Sequence, residues 1–314
     1  MATDIVSARP VTRVKPRLRR IVGIIAAAVV VLLALAYFGI GAYAANKLTR
    51  PDRQTLVSTP AQYGLAYEDV TFGSTVDNIQ LSGWLIDSPG DNAIIMLHGR
   101  NQTRDRDEAY LEKASILNGQ GYDVLMFDFR AHGLSGGERY TMGQWETRDV
   151  AGAVKFLDGR GYKVIGTYGV SMGAAISLLA APDQPEIKAL MVDSPYADLP
   201  ALLETELPKA SGLPAFFNPG MFFMAKLLYG IDYSSVKPAE AMAKLGDRAV
   251  FHVQSRDGDA DVPVTEGYAI EKAGANDPNF ISWLAPGKGH VHSYSNNKEE
   301  YTKRMLDFYA KYLK

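Results

Sequence analysis

From residue 93 onward, short apolar runs alternate with segments of helix length: AIIMLH at 93–98, DVLMFDF at 123–129, VIGTYGV at 164–170, ALMVDS at 189–194, VFHVQS at 250–255 and FISWLA at 280–285. Strands buried on both faces read as such unbroken runs, and strand–helix alternation is the mark of a mostly parallel sheet flanked by helices. The intervening pattern predicts helices at about 105–119, 144–160, 172–181, 264–274 and 297–313. A strand pair is predicted upstream, at 67–73 and 79–86. With 314 residues, 47% of them hydrophobic, the chain has enough apolar surface to bury a core of this size.

One connection breaks the rhythm. About 54 residues, 195–248, separate two of the predicted strands and contain LPAFFNPGMFFMAKLLYG, too long for a plain loop in a compact domain. They are read as a helical lid over a pocket, since Met-rich and aromatic surface suits apolar ligands. The alternative is that these side chains pad the core.

The N-terminus carries a second constraint. Residues 21–45 form an uncharged apolar stretch, and about 20 helical residues suffice to cross a bilayer. Arg9, Arg13, Lys15, Arg17, Arg19 and Arg20 precede it against the lone acid Asp4. This asymmetry predicts a basic cytoplasmic tail at 1–20, a single-pass anchor at 21–45, a linker at 46–65 and an extracytoplasmic domain at 66–314. Tyr37 and Tyr43 suit the outer interface. A cleaved secretory signal is the alternative, with Ala42-Tyr43-Ala44 as the small-residue site. The net charge of −2 gives no global basic field for nucleic acid, and the absence of cysteine excludes disulfides and thiolate chemistry.

Gly169-Val170-Ser171-Met172-Gly173 matches the G-x-S-x-G pattern between a predicted strand and a predicted helix, which places Ser171 on a sharp strand-to-helix turn as a candidate nucleophile. A serine needs a base, and the five histidines are His98, His132, His252, His290 and His292. His290 is chosen because it lies in a glycine-rich loop after the last predicted strand, with His292 the alternative. The acid is sought in RDGDADVPV, where Asp259 is preferred over Asp257 and Asp261; its task is to hold the imidazole tautomer. Two backbone amides, of Arg100 after the first parallel strand and of Met172 after the nucleophile, are candidates for the oxyanion hole. Arg100 and Arg104 are otherwise taken as surface charges.

In order and spacing, LHGRNQTR, DFRAHGLSGGE, GVSMGAA, GDADVPV and GKGHVHSYSNNKEEY resemble the bacterial α/β-hydrolases of the serine-aminopeptidase-like and prolyl-oligopeptidase-like group. The resemblance covers about residues 65–314. It implies an α/β-hydrolase fold with Ser171 as nucleophile, Asp259 as acid, His290 as base and the amides of Arg100 and Met172 as oxyanion donors. Relatives usually carry His-Gly near the end of the strand before the acid, where this chain has Val253-Gln254-Ser255-Arg256, and a proline ahead of that strand, where it has Arg248-Ala249.

The expected function is a serine hydrolase cleaving acyl esters through an acyl-enzyme, a mechanism that needs no metal or organic cofactor. A peptidase acting on short peptides is the nearest rival, and a non-catalytic envelope binding protein is the alternative from another class.

Overall fold

The computed structural model describes residues 16–107 and 109–313. Most of the expected basic tail, residues 1–15, therefore lies outside the described residues.

The chain begins with the long helix α1 (Pro16–Leu48), the one helix among the described residues long and apolar enough to cross a membrane. Two strands follow, β1 (Glu68–Gly73) and β2 (Gln80–Ile86), paired antiparallel as the paired runs predict. The alternation then runs β3 (Ala93–Leu97), α2 (Tyr110–Asn118), β4 (Asp123–Phe127), α3 (Glu146–Gly159), β5 (Ile165–Val170), α4 (Met172–Ala180) and β6 (Ile187–Asp193). After β6 the insertion supplies α5 (Leu199–Ser211), α6 (Asn218–Tyr229) and α7 (Pro238–Met242). The alternation resumes with β7 (Ala249–Ser255), α8 (Val264–Gly274), β8 (Phe280–Ala285), α9 (Ser293–Asn296) and α10 (Lys298–Tyr312).

The eight strands form one sheet in the order β1-β2-β4-β3-β5-β6-β7-β8. β2 joins β4 antiparallel, and every pair from β4 to β8 is parallel. Strands β3, β4 and β5 are buried along their whole length, which accounts for their apolar runs. Two cores result, one on each face. Ile95, Leu97, Leu125, Val150, Ile176 and Leu190 fill one, while Ile94, Met96, Tyr168, Met191, Met305 and Phe308 fill the other.

α10 is tied into the second core by tyrosines. Tyr309 donates to the Thr167 carbonyl at 2.7 Å, and the buried Tyr301 donates to Asp193 at 2.8 Å while sharing a 2.9 Å hydrogen bond with Tyr168.

The structure corrects two expectations and shows how the linker is held. The helix predicted from 105 starts only at Tyr110, because the polar side chains ahead of it are spent on holding loops. Asp105 accepts the Val57 and Ser58 amides at 2.6 and 2.8 Å, and Asp107 accepts the Gly99 amide at 2.6 Å. Arg104 is no surface charge. Its side chain is 1% exposed, pairs with the fully buried Asp128 at 2.8 Å and lies 4.3 Å from the Trp84 ring centroid. Segment 46–65 joins α1 to β1 but does not hang free: Arg53 donates to the Gly133 and Ser135 carbonyls at 3.1 and 2.5 Å, and Tyr140 donates its amide to the Thr49 carbonyl at 3.0 Å.

Candidate active site

Ser171 stands between β5 and α4 with φ +52° and ψ −119°, a conformation that strains a residue bearing a Cβ. The surrounding backbone enforces it. The Ser171 amide donates to the Asp193 carbonyl of the neighbouring strand at 2.8 Å. A Cβ at Gly169 would come within 2.6 Å of the Gly173 carbonyl oxygen, and one at Gly173 would run into the Leu97 carbonyl, so both positions are closed to larger residues.

The side chain of Ser171 donates from Oγ to His290 Nε2 at 2.7 Å. His290 Nδ1 in turn donates to Asp259 Oδ2 at 2.8 Å. Asp259 is held by two more donors, the amides of Asp261 and Val262, each 2.9 Å from Oδ1. These three residues, far apart in sequence, thus form one hydrogen-bonded line.

Burial of His290 opposes its protonation, but the hydrogen bond and charge of Asp259, reinforced by Asp261 and Asp193, raise its pKa above the ordinary histidine value.

The alternatives fall elsewhere. Asp257 pairs with Arg256 and accepts the Gly287 amide, and that pairing lowers its pKa. Asp261 reaches the rim of the pocket and offers its backbone to Asp259. His292 is exposed where α9 begins. His252 bonds Ser282 within the sheet, and burial lowers its pKa to about 3.

His98 and His132 form a pair beside the site, their ring centroids 5.1 Å apart. His98 Nε2 accepts the Phe129 amide at 3.0 Å, His132 Nε2 accepts the Asn101 amide at 3.3 Å, and burial drives both pKa values down to about 4. Together with Asp107 they fix the loop after β3. Its Gly99 and Asn101 amides are engaged, whereas among the described residues the Arg100 and Met172 amides have no protein partner. The loop lies against Ser171, since a Cβ on Gly99 would sit 3.4 Å from Ser171 Cβ. Sequence reading missed the supporting role of His98, His132 and Asp107. Their only signal was the crowding of polar residues after two apolar strands.

At the end of β7, Gln254 and Ser255 brace the loops that carry Asp259 and His290. The Gln254 amide donates to the Val262 carbonyl at 3.2 Å and lies 3.4 Å from Asp259 Oδ2, while Ser255 Oγ donates to the Gly289 carbonyl at 2.7 Å. Ahead of β7, Arg248 bonds the Ile187 and Leu245 carbonyls.

A pocket of about 460 Å³ opens over Ser171 and His290, lined by Arg100, Met142 and, from α5, Leu202, Leu203, Glu206, Lys209 and Ala210. It is large enough for a small organic substrate.

Comparison with known proteins places the fold among the α/β-hydrolases. The family model described as serine aminopeptidase, S33, matches residues 88–244. The uncharacterised protein YqkD of Bacillus subtilis is 30% identical over 224 residues, which span 69% of this chain and 70% of that protein. Among solved structures, the esterase Pf2001 of Pyrococcus furiosus superposes with a TM-score of 0.70 at 28% identity, covering 84% of this chain and 100% of that one. The α/β-hydrolase GrgF of Penicillium shares the fold, with a TM-score of 0.62 at 20% identity.

Proposed function

We propose the reaction from the premise that this chain belongs to the serine aminopeptidase family of α/β-hydrolases: it cleaves acyl esters with Ser171 as nucleophile. The observation that carries the reading is the line from Ser171 through His290 to Asp259, at 2.7 and 2.8 Å.

In this mechanism His290 takes the Ser171 proton as Oγ attacks the acyl carbonyl, and Asp259 keeps Nδ1 protonated and steadies the imidazolium. The free amides of Arg100 and Met172 receive the developing oxyanion, each such donor typically contributing about 3 kcal/mol to the transition state. His290 then passes its proton to the leaving alcohol, leaving Ser171 acylated. Water, deprotonated by the same histidine, releases the acid and restores Ser171.

An ester rather than a peptide is favoured by the relation to an esterase. We further assign α1 as a retained anchor, with the cations before it cytoplasmic and the hydrolase domain outside. Cleavage at Ala42-Tyr43-Ala44 would cut through packed structure, because Ala44 and Ala45 are buried against the insertion, which we read as the lid.

The test is turnover of p-nitrophenyl esters from acetate to palmitate by the full-length protein in detergent, beside fluorophosphonate labelling, for wild type and Ser171→Ala. Labelling and turnover are expected in the wild type alone. A folded wild type that does neither would overturn the catalytic reading, and faster cleavage of aminoacyl anilides than of esters would turn it toward a peptidase.

A further inference from the structure

The outer third of α1 is built into the insertion. Tyr37 donates to the Phe216 carbonyl at 3.0 Å, accepts the Gly220 amide at 3.1 Å and stacks on Phe217 with centroids 5.3 Å apart. Phe38 meets Phe223 at 5.4 Å. Gly41 lies against Gly220, where an added Cβ would come within 2.9 Å of backbone, the close approach that small residues allow between membrane-associated helices. Farther along, Asn46 Oδ1 accepts hydrogen bonds from Arg139 and from Tyr229 at the end of α6.

This contact sets a depth. Counting from Arg20, the last cation before the apolar run, twenty helical residues at about 1.5 Å each cover the roughly 30 Å of hydrocarbon and end at Ile40. Tyr37 and Phe38 then lie about one turn inside that boundary, and whatever packs beside them lies there too. The side chains so placed are apolar and unburied by protein: Phe216 is 72% exposed, Phe223 53% and Leu227 63%, the last two one helical turn apart on one face of α6. They continue the lipid-facing surface of α1, whose Val30, Leu32, Leu33 and Leu35 are exposed as well. Lys47 sits two turns beyond Ile40, at headgroup height.

A second observation bears on the same place. An apolar cavity of about 550 Å³ opens between α1 and the end of α5, lined by Ala36, Gly39, Ile40, Tyr43 and Leu213, at the depth just assigned to the bilayer edge. Ala210 lines both this cavity and the pocket over Ser171.

We infer that the face formed by Phe216, Phe223 and Leu227 is seated in the outer leaflet beside α1, and that the α1–α5 cavity admits the acyl chain of a bilayer-borne ester toward Ser171. The seating stands on its own, while the substrate class rests on the ester reading above.

The test uses the full-length protein in phosphatidylcholine vesicles. Tryptophan at Phe223→Trp is compared with Tyr312→Trp, next to Leu313, whose carbonyl accepts a hydrogen bond from Asn92 just before β3, at the end of that strand away from Gly99. In vesicles of brominated phosphatidylcholine, the emission that Phe223→Trp adds to that of the three native tryptophans is expected to be quenched at least about twofold more than the emission that Tyr312→Trp adds. Equal quenching overturns the seating. For the entry route, Gly39→Phe, at a position open to a larger side chain, is expected to lower the ratio of palmitate to acetate ester turnover about tenfold. An unchanged ratio overturns the route. Failure of the wild type on both esters overturns the ester reading and the substrate class, and the quenching comparison still decides the seating.

Discussion

Two sets of histidines flank Ser171 and behave in opposite ways. His98 and His132 are buried among carbonyls and amides, and desolvation leaves them neutral with pKa values of about 4. His290 is also largely withdrawn from solvent, yet its pKa is raised, because Asp259 bonds its Nδ1 directly. Burial alone makes a histidine a fixed structural acceptor; burial plus a carboxylate makes it a base that can hold a proton between steps.

The sharpest way to break this contrast is to remove the carboxylate. Asp259→Asn is expected to cut kcat on the order of 10⁴-fold while leaving the fold intact, measured by steady-state ester turnover and circular dichroism. A variant that keeps near-normal kcat would show that His290 needs no charged partner.

His98→Leu should act chiefly on stability. It leaves the buried Phe129 amide without its acceptor, costing about 1–3 kcal/mol, visible as a fall in Tm by calorimetry. An effect on kcat as large as that of Asp259→Asn, in a protein that melts normally, would erase the distinction.

The pH dependence carries opposite signs in the two sets. His98 and His132 bind protons more readily unfolded than folded, so their contribution to stability is present above about pH 6.5 and is lost as the pH falls toward about 4. His98→Leu is expected to flatten the fall of Tm across that window. His290, with its raised pKa, adds stability below about pH 6.5 that is lost as the pH rises through its folded value. In catalysis it must start neutral. The wild-type kcat/KM is therefore expected to fall toward acid through a pKa above 6.5, and Asp259→Asn to move that limb to lower pH.

The smallest effect is expected at Gln254. Gln254→Ala removes hydrogen bonds to the acid loop and should lower stability by about 1 kcal/mol, with turnover reduced less than tenfold. A loss rivalling that of Asp259→Asn would make Gln254 part of the proton-holding line itself.

The sheet could be read from the chain because strands buried along their whole length carry no charge and few polar groups, as at 93–97 and 165–170. The turn at Ser171 was legible for a related reason: glycines at 169 and 173 are demanded by backbone contacts local enough to leave a five-residue pattern. The loop after β3 was not. Asp105, Asp107 and Arg104 have the composition of a solvated helix start, and only tertiary partners from β2, β4 and segment 46–65 turn them into loop supports. The docking of α1 on α6 was hidden likewise, since an apolar run reads the same whether it packs on protein or is long enough to cross a membrane. Tyr37 was read as an interfacial anchor, yet its hydroxyl is engaged by the insertion.

The tyrosine ties of α10 bear on when the protein becomes an enzyme during synthesis. Ser171 emerges from the ribosome long before His290, and Tyr301 and Tyr309 later still, although they bond Asp193 and Thr167 directly beneath the nucleophile turn. A nascent chain carries Ser171 without its hydrogen-bonding partner until His290 has emerged. Premature termination before that residue leaves the serine alone, and termination before α10 leaves the sheet without the tyrosines that brace Asp193 and Thr167.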